Sequence, residues 1–389
     1  MKSFEKIRDE RVNFPAAEKN AYFETGSTGL IPKYVFEAIN QYQLDRYCLG
    51  GDSKWGSEGY NSIDMMEKAK QKIAAMMHCK AEDISFAMNA SHAISFFTSN
   101  IEIKKGSNVV IPENAFNSGK FMWQIREREG LEIRYAKVEN GGVSPENIIN
   151  LIDENTIAVH CTYIESSTGF RIDAKTIGEY CREHGVCFIL DATQALGVIQ
   201  VDVEKICADV VVGNDYKWMM NYGGIGYAYI RKDIRLNIHP KCAGWMSDQN
   251  RFYSDEECLN LRKDGGRFEL GFPDMAGIYG VGLVAEKYTQ LDGQLIEEYV
   301  LSICDYLKKK VKFTQGLSLQ YDFEDKNRSQ IIYILVDGKF NISKDYLAQK
   351  GIMCDVKGKT ENGETILRIG IHYYNNENDV DKFIETIIN

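Results

Sequence analysis

The sequence has little that would carry it to a membrane or a nucleic acid. No apolar run approaches the roughly 20 residues that span a bilayer. The opening MKSFEKIRDE is charged and lacks the apolar segment of a secretory signal. A basic excess is missing too. The formal net charge is −10, which argues against binding of nucleic acid or an anionic membrane surface, because nothing is left over to neutralise phosphates. The expectation is a cytoplasmic protein. The ten cysteines form no CxxC pair and no metal spacing with histidine, so no metal site is expected. In a reducing compartment they are thiols, mostly buried as small apolar residues. Repeats, low-complexity tracts and Pro/Ser-rich linkers are absent as well. Neither G-x-G-x-x-G nor G-x-x-x-x-G-K-S/T follows a strand, which counts against a nucleotide site.

What is present is an ordinary globular composition, 44% hydrophobic and 26% charged over 389 residues, a length that fits two domains. The stretch from Val186 to Gly226 organises the rest. Its first apolar run, Val186 to Leu190, reads as a buried parallel strand and stops at Asp191. A second, Asp209 to Gly213, leads into Asn214-Asp215-Tyr216-Lys217-Trp218. Gly223, Gly224 and Gly226 then allow a tight turn before a strand at Tyr227 to Ile230. One acid and one lysine thus arrive at the carboxyl edge of a sheet, where open α/β folds bind ligands. A partly buried lysine is pushed towards its neutral form, the form that makes a Schiff base to an aldehyde cofactor. A carboxylate facing a pyridine nitrogen keeps that nitrogen protonated. Taken alone, Asp191 capping a turn and Lys217 on the surface remain an alternative.

Strands and helices alternate from about Asn20 to Lys232, as a mostly parallel sheet requires. The loop Gly26-Ser27-Thr28-Gly29 ends at Pro32, before a helix from Tyr34 to Arg46. Met65, Met66, Ala69, Ile73 and Met76 share one helical stripe and read as core. A strand at Ile84 to Met88 runs into Asn89-Ala90-Ser91-His92, where a helix starts; free N–H groups and a positive dipole end suit a phosphate there. Asn108 to Ile111 leads to Phe116 and a helix through Trp123. Ile157 to His160 leads to the loop Cys161 to Arg171. Beyond Arg231 come the glycine- and charge-rich LRKDGGRFELGFP, a helical stretch from Met275 to Val311, and smaller elements. These are strands near Gln330 to Val336 and Ile366 to Gly370, with helices at Ser343 to Lys350 and Asn378 to Ile388.

In order and combination, these segments resemble the class V aminotransferase family of pyridoxal-phosphate enzymes, which includes cysteine desulfurases, selenocysteine lyases and isopenicillin-N-epimerase-like proteins. Asp191, Gln194 and Gly197 match its D-x-x-Q-x-x-G block, and Lys217 matches S/N-x-Y/H-K-W. The resemblance implies fold type I: a large cofactor domain, residues 20–255, and a small α+β domain made of residues 256–389 with residues 1–19 packed on it. It implies pyridoxal 5'-phosphate held by Lys217 as a Schiff base, with Asp191 on the ring nitrogen, Gln194 on the phenolic oxygen and Phe116 on the ring face. Ser91, His92 (through its backbone N–H) and Tyr216 are implied for the phosphate. Gly26, Ser27 and Thr28 are implied for the substrate pocket, and Arg368 of L-R-I-G-I-H-Y-Y-N for the substrate carboxylate, a task suited to its planar fork. His372 reads as structural. The Arg267–Gly271 loop is implied to approach the site of a second subunit in a homodimer, although Phe272 stands where the family has a hydroxyl residue.

The resemblance leaves the reaction open among aminotransferase, lyase and epimerase chemistry on an amino-acid substrate. A desulfurase needs a thiol on a flexible loop before the arginine. Here Cys354 falls on an expected strand, and the expected loop from Lys357 to Glu364 has no thiol, so a persulfide-forming desulfurase is disfavoured. A desulfurase or selenocysteine lyase using Cys354 or no protein thiol stays as an alternative, and so does a non-catalytic binding or regulatory module.

Overall fold

The computed structural model describes residues 4–50, 62–250 and 258–389. Its largest sheet has seven strands. The short strand β1 (Ala21–Tyr22) lies outside it, and the chain then enters it with β2 (Ile84–Ala87), β3 (Asn108–Pro112) and β4 (Glu132–Ala136). It continues with β5 (Thr156–Thr162), β6 (Cys187–Asp191), β7 (Val210–Asn214) and β8 (Gly226–Ile230). The spatial order is β2-β8-β7-β6-β5-β3-β4. Only β8 runs against its neighbours. β3, β6 and β7 are almost wholly apolar and buried along their length, as strands covered on both faces must be.

The carboxyl-terminal region forms a four-stranded antiparallel sheet. Its strands are β9 (Leu317–Leu319), β10 (Ile331–Val336), β12 (Asp355–Lys359) and β13 (Thr365–Gly370), in the order β12-β13-β10-β9. The two-residue β11 (Ile352–Met353) pairs instead with β1. Helix Glu377–Ile388 turns its apolar stripe, with Val380, Phe383, Ile384 and Ile387, into the core. The amino-terminal segment lies against this unit: Arg11 donates to both oxygens of Asp379 at 2.7 and 2.9 Å.

Three expectations need correction. The expected division at residues 255 and 256 lies outside the described residues, but helix Met275–Gln290, assigned to the small domain, packs along Ser62–Met77 and Lys33–Leu49 of the large one. Conversely, Ala21–Tyr22 pairs with β11 and Glu24 bridges Gly370, so the start of the expected large domain joins the small unit. The continuous helical stretch Met275 to Val311 is two helices, Met275–Gln290 and Gly293–Phe313. They are divided at Asp292, whose φ of 67° leaves the helix and whose side chain caps the second by accepting from Gln294 at 3.0 Å. The loop expected from Lys357 to Glu364 is shorter, because β12 pairs with β13 as far as Lys359.

Candidate active site

Because β8 is the only reversed strand, β2, β3, β5, β6 and β7 all finish at one edge of the sheet. The turns that leave those strands carry Asn89, Phe116, Ser166, Asp191 and Lys217, and together they line a cavity of about 500 Å3. In register, Asp191 stands beside Thr162 of β5 and Val212 of β7. Parallel pairing therefore brings together residues that lie far apart in sequence.

The two central groups are tuned in opposite directions. Asp191 is 5% exposed, and burial raises its carboxyl above the usual range, against the pull of the Thr193 N–H, which donates to it at 2.9 Å, and of Lys217. Burial also lowers the Lys217 amine, to about 8; Asp191 pulls it up, and Arg368 and Lys357 push it further down. Its Nζ lies 5.7 Å from the ring centre of Phe116 and 5.8 Å from that of Tyr216. The lowered amine favours the neutral, nucleophilic form that a Schiff base needs, whereas burial works against the ionised Asp191 carboxylate that pairs with a protonated ring nitrogen, and the Thr193 N–H and Lys217 offset it in part.

Two glycines fix the backbone that carries the lysine. A Cβ on Gly29 would sit 1.9 Å from the Lys217 carbonyl oxygen, and one on Gly197 would sit 2.3 Å from that of Trp218. Gly197 also has a φ of 103°, which disfavours any side chain. The glycines of two separate motifs thus grip the Lys217–Trp218 segment. From the other side, buried His372 places Nε2 3.0 Å from the Trp218 carbonyl oxygen, and burial lowers its ring to about 3, so it stays neutral and structural.

Of the sequence-derived residues, Ser91, Phe116, Asp191, Gln194, Tyr216 and Lys217 line the cavity. Phe116 is 50% exposed, and Lys217 Nζ lies over its ring. Ser91 Oγ lies 2.7 Å from Ser118 Oγ. Gln194 donates to Gly26 O at 3.1 Å and accepts from Trp218 Nε1 at 2.7 Å, which holds its amide in place at the cavity wall. His92 is the correction. Its backbone N–H is taken by the capping Asn89 side chain at 2.8 Å, and its ring, which accepts from the Met88 N–H at 3.3 Å, lines an adjoining pocket with Phe86 and Phe268. A capped N–H is not available to a phosphate; those of Ala90 and Ser91, at the cavity, begin the helix Ala90–Ser99.

Gly26, Ser27, Thr28 and Arg368 stand behind the cavity lining. Gly26 supports Gln194, the Thr28 carbonyl accepts from Tyr22 at 2.7 Å, and Ser27 bonds to both Asp355 and Arg368. The Arg267–Gly271 loop is tied to its own chain, because Glu269 pairs with Lys70 at 2.8 Å and accepts from the Phe86 N–H at 3.0 Å. The sequence reading assigned no role to Ser118, Thr193 or Asn214, which line the cavity, or to Asp355, which faces Arg368. The first three follow recognisable strands. Asp355 had no local signal.

A family model described as Aminotransferase class-V matches residues 21–383. The chain belongs to that family. It is 24% identical to a probable cysteine desulfurase of Methanothermobacter thermautotrophicus, over 99% of this chain and 98% of the relative. It is 20% identical to isopenicillin N epimerase of Amycolatopsis lactamdurans, over 97% and 96%. Among solved structures it resembles apo cysteine desulfurase from Thermococcus onnurineus, with a TM-score of 0.83 and 20% identity over 97% and 96% of the two chains. It also resembles the cystine C-S lyase C-DES bound to cysteine persulfide, with a TM-score of 0.82 and 19% identity over 96% and 98%. These likenesses agree with the fold type I architecture. The cofactor of this class V enzyme is pyridoxal 5'-phosphate. The donor set fits it: a lowered amine, a buried acid, an exposed aromatic ring and a helix start converge on one cavity.

Proposed function

We propose that this class V enzyme moves the α-proton of an amino-acid substrate with Lys217 and completes its reaction without a protein persulfide. When bound, pyridoxal phosphate supplies an electron sink for the carbanion. Asp191 would hold a proton at the ring nitrogen, and Phe116 would pack against the ring. The backbone N–H groups of Ala90 and Ser91, the Ser91 hydroxyl and the Tyr216 hydroxyl serve the phosphate. Gln194, fixed by Gly26 and Trp218, has a second amide hydrogen for the phenolic oxygen. Lys217 is neutral for about half the time near pH 8, so it can both capture the cofactor and later accept a proton. Arg368 orients the substrate carboxylate through its guanidinium.

One observation carries the exclusion of a protein persulfide: none of the ten cysteines lines the cavity. Cys354 lies between β11 and β12, is 2% exposed, and burial pushes its thiol up, away from the reactive thiolate. Transamination, epimerisation and β-elimination need no such thiol. C–S lyase chemistry, as named for C-DES, is the form in which sulfur chemistry would reach this chain. An amino-acid screen that assays keto acid, racemised product and sulfide separately tests the reading. The expected result is turnover that survives Cys354→Ala. Sulfide release abolished by that change would overturn it.

The active unit is a homodimer in which the Arg267–Gly271 loop approaches the neighbouring subunit's cavity. This part rests on the apolar surface around that loop, where Trp245, Leu270 and Phe272 are 38%, 37% and 49% exposed beside a pocket of about 300 Å3.

A further inference from the structure

Arg368 is not a free guanidinium. Its Nε and Nη2 donate to the same Asp355 oxygen at 2.9 and 2.6 Å, Nη2 also donates to Ser27, Nη1 reaches the Ser166 carbonyl at 3.4 Å, and the Tyr333 hydroxyl faces the same guanidinium. The pairing is built into the sheet, because Asp355 of β12 stands directly opposite Arg368 of β13. Both side chains are largely buried, at 13% and 7% exposure. Asp355 accepts further from Ser27 at 3.1 and 3.2 Å and lies 3.6 Å from Lys357 Nζ. The pair adjoins the cavity, since Ser166 lines it and Gly26 both packs against the guanidinium and holds Gln194.

A binding arginine left buried and unpaired enforces specificity. A ligand without the matching carboxylate then leaves a desolvated charge unsatisfied, and sites of that kind reject such analogues by about 10⁴-fold. Here the chain supplies its own carboxylate. A substrate carboxylate has to compete with Asp355 and Ser27 for the guanidinium before it gains two parallel hydrogen bonds. A ligand without a carboxylate leaves the Asp355–Arg368 pair undisturbed.

We infer that the pocket binds primary amines lacking an α-carboxylate alongside α-amino acids, and that Asp355 sets the ratio between them. The inference rests on the pyridoxal-phosphate reading of the cavity and names a further substrate class for it. Asp355 acts here as a positioning residue, through Arg368.

The holoenzyme is titrated with matched pairs: alanine and ethylamine, phenylalanine and phenethylamine, cysteine and cysteamine. Binding is read by calorimetry and by the shift of the cofactor's absorption band. In the best-bound pair, the amine is expected to bind within about tenfold of its amino acid. Asp355→Asn is expected to tighten the amino acid about tenfold while changing the amine less than about threefold. The comparison within the unaltered enzyme needs no variant. A preference of about 10³-fold or more for the amino acid in a coloured holoenzyme overturns the inference alone, as does an Asp355→Asn change that weakens both ligands equally. A protein that takes up no pyridoxal phosphate overturns the underlying reading together with the inference.

Discussion

At the residue scale, burial of ionisable groups around one cavity does two different jobs. For Lys217 it creates function, and the consequence is a pH profile. Capture of added pyridoxal phosphate by the cofactor-free protein needs the neutral amine, so its rate should rise with pH and level off above about 8. A capture rate that climbs about tenfold per pH unit up to pH 10 would show a lysine with its ordinary basicity. For Glu165 burial weakens the fold. This carboxyl is 1% exposed, and burial pushes it up to about 8, with the Asp191 charge adding to the effect. The folded protein therefore holds this proton more tightly than the unfolded chain does. The contribution to stability is fully present below the ordinary carboxylate range and is lost as pH rises through about 8. Glu165→Gln stays neutral throughout, so it should flatten the fall in stability between pH 5 and 8, by on the order of 3 kcal/mol at the upper end. Urea unfolding at both pH values checks this; identical pH dependence in the two proteins would contradict it.

At the element scale, the site depends on how closely backbone segments approach the lysine. Gly197→Ala should lower stability by about 1–3 kcal/mol through overpacking and reduce cofactor retention, because the new methyl meets the Trp218 carbonyl and the positive φ adds strain. Thermal unfolding and absorbance of the bound cofactor measure the two effects; a variant unchanged in both would show that the grip on Lys217 is dispensable. The same scale explains what the sequence made legible. Runs such as Val109 to Ile111 and Val210 to Val212 announce buried strands through unbroken apolar composition, and Asp191 and Lys217 follow directly from strand ends. Asp191 and Lys217 are therefore legible from the strands alone, whereas Phe116 is implied only by the family resemblance. Asp355 is legible from neither, because its meaning lies in the register between β12 and β13, and register is a long-range property with no local mark. His92 departs from its expected role for a related reason. A helix start exposes several N–H groups, and only the fold shows that the Asn89 side chain turns back to take one of them. The break at Asp292 escaped notice because apolar spacing continues on both sides of it.

At the scale of the whole molecule, two units meet beside the cavity: one edge of the large sheet carries Asp191 and Lys217, and β13 of the small sheet brings Arg368. Ala21–Tyr22 links them through β11, and Ser27 completes the contact with Arg368. The proposed dimer predicts sedimentation as a particle of two chains, with activity falling as dilution separates them. A fully active monomer would contradict the assigned role of the Arg267–Gly271 loop. All of these expectations depend on one covalent attachment. The decisive measurement is borohydride reduction of the protein loaded with pyridoxal phosphate, followed by peptide mass spectrometry. The account predicts loss of the absorption band and a pyridoxyl group on the peptide containing Lys217, with neither in Lys217→Ala. Uptake with the label on other lysines alone, or no uptake at all, would contradict it.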